Sequence, residues 1–391
     1  MIVAGGVYVE RCMEPEWNQV YGSAGRAAIA LAPAVSSVEL RTVATDAMQR
    51  RIAELSQVYG FEQQCAPAPV AITFDYVHPL SIPLITPAPS IIERLPSVDA
   101  SGDLVIRFGM LEGDVKVDAD VAVYDPQSAF APEAFHANGS RANRLAIVLN
   151  SSEAAALSGE SDVTAAARAI LTSEAADVVI VKRGSRGAVV ATSTTVESVP
   201  AYRSEFVWAI GSGDIFVAAF AFFWGVESRA ALDAADLASR AVSIYCETRS
   251  MPVLDATALA DRVAVSPRPG RVYLAGPFFN VAQRWLVEEA RAALQSQGLD
   301  VFSPLHDVGR GTATEVAPAD LDGLCGCDRV LALVDGADVG TIFELGYAHA
   351  KGIPVVAFAQ SMSEEDLKMI VGAGARVVSD FTTAVFMTAW L

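Results

Sequence analysis

The 391-residue chain carries 46 acidic against 28 basic residues, a formal charge of −18, with 52% of residues hydrophobic and 19% charged. It is too long for one ordinary domain and apolar enough to bury large cores, which excludes wholesale disorder. The acidity argues against nucleic acid and against an anionic membrane surface as partners.

Five scattered cysteines (Cys12, Cys65, Cys246, Cys325 and Cys327) read as reduced thiols of a cytoplasmic protein. The Cys325-Gly326-Cys327 pair lacks zinc-site spacing and reads as core packing, so no metal site is expected from cysteine. No charged start with an apolar h-region and no run of about 18 apolar residues marks secretion or a membrane span.

Along the chain, short apolar strands alternate with alanine-rich helices, the pattern of α/β layering on parallel sheets. Strands are expected at Val121–Tyr124, Leu145–Leu149 and Val178–Val181, with helices at Val163–Leu171, Ser212–Phe223 and Ala230–Tyr245. The stretch Ser266-Pro267-Arg268-Pro269-Gly270 cannot continue a helix and precedes a fresh strand, so it divides the chain. Beyond it, strands are expected at Val272–Ala275, Val330–Val334 and Val355–Ala359, with helices at Val281–Gln297, Thr341–Lys351 and Glu364–Ile370. Two domains follow, residues 1–265 and 270–391.

Two stretches of the first domain carry chemistry: Asn150-Ser-Ser-Glu153 after a strand, and Gly211-Ser212-Gly213-Asp214 opening an apolar helix. A Gly-x-Gly at a helix start turns backbone N–H groups and the positive end of the dipole toward an anion. An aspartate directly after it can accept a hydroxyl proton. The same residues also read as a glycine-rich turn with a first-turn helix charge.

Taken with Gly5-Gly6, Gly22-Ser-Ala-Gly25-Arg26-Ala-Ala, Val43-Ala-Thr-Asp46, Tyr124-Asp125-Pro126 and Lys182-Arg-Gly184-Ser-Arg-Gly187-Ala, the order resembles the ribokinase-like (PfkB-type) sugar and nucleoside kinases over nearly all of residues 1–250. The resemblance implies a three-layer α/β/α domain that uses ATP and Mg2+. It assigns Asn150 and Glu153 to Mg2+ and phosphate, Gly211, Ser212 and Gly213 to the anion hole, Asp214 to the base, and Gly184 and Gly187 to the surroundings of ATP. Three positions depart from the pattern. Trp208-Ala209-Ile210 replaces an acidic-Thr-Thr lead, Arg26 follows Gly25 where a sugar-binding asparagine is common, and Glu10 is the one stand-in for a missing acceptor aspartate.

The second domain opens Arg271-Val-Tyr273-Leu-Ala-Gly276-Pro-Phe278-Phe279, a strand running into a glycine turn at the ligand-facing end of an α/β sheet. Asp320 precedes the next strand, and Asp338-Val-Gly-Thr-Ile-Phe-Glu344-Leu-Gly-Tyr-Ala follows it, placing Glu344 in the first turn of a helix. Three carboxylates in one cleft suit chemistry at a sugar C1, where one attacks and another manages the leaving group's proton. Thr341-Ile-Phe-Glu344 equally fits a capping box. His349, five residues after Glu344, points about 140° away around the helix and reads as structural.

The segment from Val272 to about Phe358 resembles the nucleoside 2-deoxyribosyltransferase family, on Tyr273-Leu-Ala-Gly276, Asp320-Leu, Asp328, and Asp338-x-Gly-x-x-x-Glu344-Leu-Gly-Tyr-Ala. It implies a flavodoxin-like (Rossmann-like) parallel sheet, Glu344 as nucleophile, Tyr273 orienting it, Asp320 and Asp338 contacting the base, and no cofactor. Gly276, Phe278 and Phe279 fall on the substrate loop, whose apolar character favours nucleosides over their monophosphates. Family members lend an Asn-x-Met segment to a neighbouring subunit, which implies a homo-oligomer. Met369 fits that segment, but Leu367 stands in the asparagine's place.

Two functions follow. One is a salvage enzyme whose second domain cleaves or transfers nucleoside glycosidic bonds while its first phosphorylates a sugar or nucleoside. In the other, the kinase-like half binds nucleotide or holds subunits together without turnover.

Overall fold

The computed structural model describes residues 1–128 and 131–391. The chain forms two compact units, Met1–Ser204 with Trp208–Val265, and Ser266–Leu391 with Glu205–Val207.

The first unit is built on a nine-stranded sheet, in spatial order Val196–Val199, Ala188–Thr192, Val178–Lys182, Arg141–Asn150, Val115–Asp125, Val98–Phe108, Ile2–Ala4, Glu39–Ala44 and Glu62–Pro67. The two pairings at the Val196 end are antiparallel and the rest parallel. Its central strands are apolar at successive positions because both faces are covered. Leu145, Ile147 and Leu149 face Ala154, Ala166, Ala167 and Ile170 of the helices Ser151–Ser158 and Val163–Ser173. On the other face lie the small-residue helix Gly22–Leu31 and the helices Ser212–Phe220 and Ala231–Thr248. Sheet between two helical layers is the three-layer arrangement expected. A separate four-stranded sheet, Trp17–Val20, Val9–Cys12, Thr73–Tyr76 and Leu84–Thr86, was not legible in the sequence, its strands being short and half-exposed. The helix expected at Ser212–Phe223 leaves α geometry after Phe220, continuing as a π turn over Ala221–Val226.

The second unit is a five-stranded, all-parallel sheet in the order Asp300–Phe302, Arg271–Ala275, Arg329–Leu333, Val355–Phe358, Arg376–Val378. The chain starts on an inner strand, steps to one edge, then fills toward the other, which is the flavodoxin-like order with its switch point beside Arg271–Ala275. Tyr273, Ala275, Val330, Ala332 and Ala357 pack on one face with Leu345 and Ala348 of the helix Val339–Ala350. No helix among the described residues is long and apolar enough to cross a membrane.

Candidate active sites

In the second unit, the strand Arg271–Ala275 delivers Tyr273 and the helix Val339–Ala350 delivers Glu344. The Tyr273 hydroxyl donates to Glu344 Oε1 at 2.7 Å. The tyrosine ring is fully buried and stacks on Phe302 at 5.5 Å between centroids, so it is a rigid donor. Glu344 Oε2 makes no hydrogen bond within the described residues and is the oxygen free to react.

The helix begins at Val339 with Asp338 as its N-cap, whose Oδ2 accepts from the Thr341 amide (2.8 Å) and hydroxyl (2.9 Å). Two expectations are therefore corrected. Glu344 lies in the second turn, not the first, and it is not the acidic member of a capping box. Asp338 does the capping that the spacing suggested for Thr341, because it stands as N-cap three residues before Thr341 and its carboxylate reaches the third amide of the helix. Its charge nevertheless reaches Glu344, as does that of Asp320 on the helix Ala313–Cys325. Burial pushes the Glu344 carboxyl up to about 7; the Tyr273 hydrogen bond opposes this, and Asp320 and Asp338 add to it. Burial also raises the Asp320 carboxyl, whose Oδ1 is out of contact with water and has no hydrogen-bond partner.

The substrate loop runs into a capping box at the start of the helix Val281–Ser296. Gln283 Oε1 accepts from the amides of Phe279 (2.9 Å) and Asn280 (3.3 Å), and the Gln283 amide donates to Asn280 Oδ1 at 3.0 Å. Three N–H groups around this helix start, those of Phe279, Asn280 and Gln283, are thus already engaged. Phe278 and Phe279 stack at 5.6 Å, with Phe279 exposed, and Arg284 Nε donates to the Phe278 carbonyl at 2.9 Å. At Gly276 a Cβ would come within 3.0 Å of the Leu333 Cβ, a reason for glycine in the turn. Met369 is 83% exposed and lines an apolar groove of about 530 Å³ with Ile342, Leu345, His349 and Ile370. None of Glu344, Tyr273 and Asp320 lines that groove. His349 is exposed there, apart from Glu344.

In the first unit, Asp214 sits early in the helix Ser212–Phe220, with both oxygens engaged. Arg26 Nη1 donates to Oδ2 at 2.5 Å and Gln127 Nε2 to Oδ1 at 2.7 Å. Arg26 is 1% exposed; it also donates to Glu10 Oε2, to the Tyr245 hydroxyl (3.1 Å) and to the Gly22 carbonyl (3.4 Å). Gly211, at φ +77°, has no room for a side chain, because a Cβ would fall 2.1 Å from the Arg26 guanidinium carbon. Gln127 holds φ at +50°, a costly conformation for a side-chain-bearing residue. In the sequence Arg26 stands out only as a missing asparagine, and Gln127 not at all; the signal was a buried-looking arginine in an otherwise alanine-rich helix.

The other kinase-motif residues make the following local contacts. Asn150 and Glu153 cap each other's backbone at 2.9 and 2.8 Å. Ser212 Oγ donates to the Ala209 carbonyl at 2.8 Å. Gly184 and Gly187 have φ of +57° and +72°, and a Cβ at Gly187 would strike the Val199 carbonyl. Lys182 pairs with Asp125 at 2.6 Å and approaches within 3.3 Å of the position a Gly213 Cβ would take. Burial raises the Asp125 carboxyl to about 7, against the pull of Lys182.

The first unit is thus a ribokinase-type α/β/α fold with its motif aspartate at a helix start, and the second a parallel-sheet unit with a tyrosine-held glutamate. Comparison gives each a family: residues 125–251 match the pfkB family carbohydrate kinase model, and residues 272–378 the nucleoside 2-deoxyribosyltransferase model. The chain is a fusion of a ribokinase-like, PfkB-type kinase domain with a nucleoside 2-deoxyribosyltransferase family domain, two enzyme families of sugar and nucleoside metabolism. Among solved structures, a fructokinase from Vibrio cholerae O395, bound to fructose, ADP and calcium, is 16% identical with a TM-score of 0.50, covering 66% of this chain and 98% of its own. A ribokinase from Thermotoga maritima is 15% identical with a TM-score of 0.45, covering 67% and 96%. At such identities the likeness concerns the fold alone. No curated protein matches the chain.

Proposed function

We propose that the second unit breaks the N-glycosidic bond of (deoxy)nucleosides through a covalent glycosyl ester on Glu344. The observation that carries this is a carboxylate with one oxygen held by a buried tyrosine and the other open, beside two further carboxylates. In the first step Oε2 bonds to the sugar C1 as the C1–N bond breaks, and the departing base takes a proton from Asp320, whose burial favours its acid form. In the second step an acceptor base or water attacks C1, the ester opens, and the acceptor's proton passes to Asp320. Tyr273 keeps its proton, since burial and the Glu344 charge both hold its pKa up, and it fixes which oxygen reacts. The engaged loop amides favour an uncharged 5′ end. The exposed Met369 groove supports reading the protein as a homo-oligomer in which that segment serves a neighbour. Replacing Glu344 by Gln and assaying a nucleoside panel for free base, with and without an acceptor base, tests the assignment.

For the first unit the geometry favours the reading without turnover. A base needs a carboxylate open to an acceptor hydroxyl, but Asp214 is buried, accepts from Arg26 and Gln127, one on each oxygen, and Arg26 fills the space against Gly211. The Mg2+ implied by the family also fits poorly. Asn150 Oδ1 and Glu153 Oε2 each accept from the other's backbone amide, and both Asp125 oxygens accept hydrogen bonds, from Lys182 and from the Gln127 amide. Phosphoryl transfer is therefore not assigned to this unit. An assay of ADP release over sugars and nucleosides tests this reading, and turnover abolished by Asp214→Asn overturns it.

A further inference from the structure

The edge strand Asp300–Phe302 runs parallel to Arg271–Ala275, with Phe302 in register with Tyr273. Residues in register project to the same face of a sheet, so the two rings stand side by side. They stack at 5.5 Å between centroids, with 16° between their planes. Phe302 is 8% exposed and Tyr273 is fully buried. Arg271, two residues before Tyr273 and on the same face, holds its guanidinium carbon 5.1 Å from the centroid of the Phe302 ring.

The far end of the same ring meets a second element of the site. A Cβ at Gly323 would fall 2.2 Å from Phe302 Cζ and 2.4 and 2.7 Å from the two Cε atoms. Gly323 belongs to the helix Ala313–Cys325 and stands three residues after Asp320, so the two share a helix face. Any side chain at 323 would push the ring off Tyr273, or push the helix, and Asp320 with it, off the sheet. One ring therefore touches both the residue that holds Glu344 and the helix that carries Asp320. The 2.7 Å hydrogen bond from the Tyr273 hydroxyl to Glu344 Oε1 depends on where the tyrosine ring stands, and the stack fixes that.

We propose that Phe302 is a positioning residue for glycosyl transfer, its ring setting the Tyr273 hydroxyl against Glu344 on one side and, through Gly323, the helix of Asp320 on the other. The inference rests on reading Glu344 as the nucleophile and Asp320 as the acid. Phe302 carries no proton to give or take; it acts through geometry. Misplacing a reacting group by about 1 Å can cost on the order of 10²-fold in rate.

Phe302→Leu keeps an apolar side chain but removes the flat face against Tyr273. Glu344 is faced by Tyr273 from its strand, by Asp320 from the helix Ala313–Cys325 and by Asp338 from the N-cap of its own helix; of these, the Tyr273 hydrogen bond alone lowers its pKa. Infrared difference titration of the full-length protein against Glu344→Gln follows this carboxyl without turnover. Phe302→Leu should move its midpoint upward, in the direction of Tyr273→Phe, and should add no further shift in the Tyr273→Phe background. In nucleoside cleavage kcat should fall at least about tenfold, with KM held within about twofold. Gly323→Ala should also lower kcat, and combining it with Phe302→Leu should restore part of that loss, since the shorter side chain vacates the room the methyl needs. A folded Phe302→Leu protein whose Glu344 midpoint stays in place or falls, or adds in full to that of Tyr273→Phe, overturns the proposal. Unchanged kcat in Gly323→Ala overturns the link to the helix of Asp320. Thermal melts identify failure to fold, in which case Phe302→Met is titrated under the same criterion. Absence of cleavage by the wild type would refute the glycosyl-transfer reading, while the placing of Tyr273 by Phe302 is still decided by the infrared titration.

Discussion

Glu344 and Asp214 each project from the opening turns of a helix in an α/β unit, and each occupies its family motif's acidic position, yet their surroundings differ in kind. Glu344 meets one neutral donor, Tyr273, and two other carboxylates, so its charge is poorly compensated and its pKa rises to about 7. Asp214 meets a buried guanidinium, which it shares with Glu10, and a carboxamide, so both its oxygens accept hydrogen bonds from its own fold. An under-satisfied carboxylate suits chemistry, and one bound to cations and donors of its own fold suits it less. The motif alone does not distinguish them. The partner does.

The contrast breaks most visibly under substitution of the two acids. Glu344→Gln should lower nucleoside cleavage by at least about 10³-fold, whereas Asp214→Asn should leave that cleavage within about twofold, since the residues lie in separate units. Parallel loss of activity in both variants would indicate a shared site or global misfolding.

Arg26 gives the next largest effect, on stability. Arg26→Ala strands Glu10 and Asp214 as buried carboxylates and should cost the first unit about 3–5 kcal/mol in urea unfolding. A cost under about 1 kcal/mol would mean that the pair is solvated and the site open.

Substrate charge sharpens the description of the second unit. With the Phe279 and Asn280 amides engaged by Gln283, nucleosides should exceed their 5′-monophosphates at least tenfold in kcat/KM, about 1.4 kcal/mol of discrimination. A preference for the monophosphate, measured at equal ionic strength, would assign Arg284 a phosphate contact instead.

The smallest effects concern pH. As a nucleophile Glu344 must be ionised, so kcat/KM should rise with pH through about 7. Tyr273→Phe removes the hydrogen bond that opposes the raised pKa and should move that limb to higher pH. For stability the sign is the reverse of an ordinary carboxylate's. Below the unfolded value of 4.5 the group is neutral in both states, and between there and about 7 the folded protein loses stability as pH rises. Glu344→Gln should therefore stabilise the second unit at pH 8, by on the order of 1 kcal/mol, and change it little at pH 4.

Much of this fold was legible because both central sheets are buried on both faces. Val178–Val181, Leu145–Leu149 and Val355–Ala359 read as continuous apolar runs, and their boundaries moved by only a residue or so at the ends nearest the sites. The Val9–Cys12 and Thr73–Tyr76 strands were not legible, since their half-exposed residues give no periodic signal. At the sites, the motifs located the residues but not their partners. Asp338 and Thr341 could each begin the helix by composition, and only the chain path decides which side chain reaches the third amide. The contact of Arg26 with Asp214 joins residues 188 positions apart, beyond any local pattern.

The most direct test of the open carboxylate is its covalent intermediate. The protein is mixed with a deoxynucleoside, quenched rapidly in acid, digested, and its peptides weighed by mass spectrometry. A deoxyribosyl adduct on the peptide containing Glu344, absent from the Glu344→Gln variant, is the predicted result. Sustained release of free base by the Gln variant, or an adduct carried by a different residue, would contradict the account.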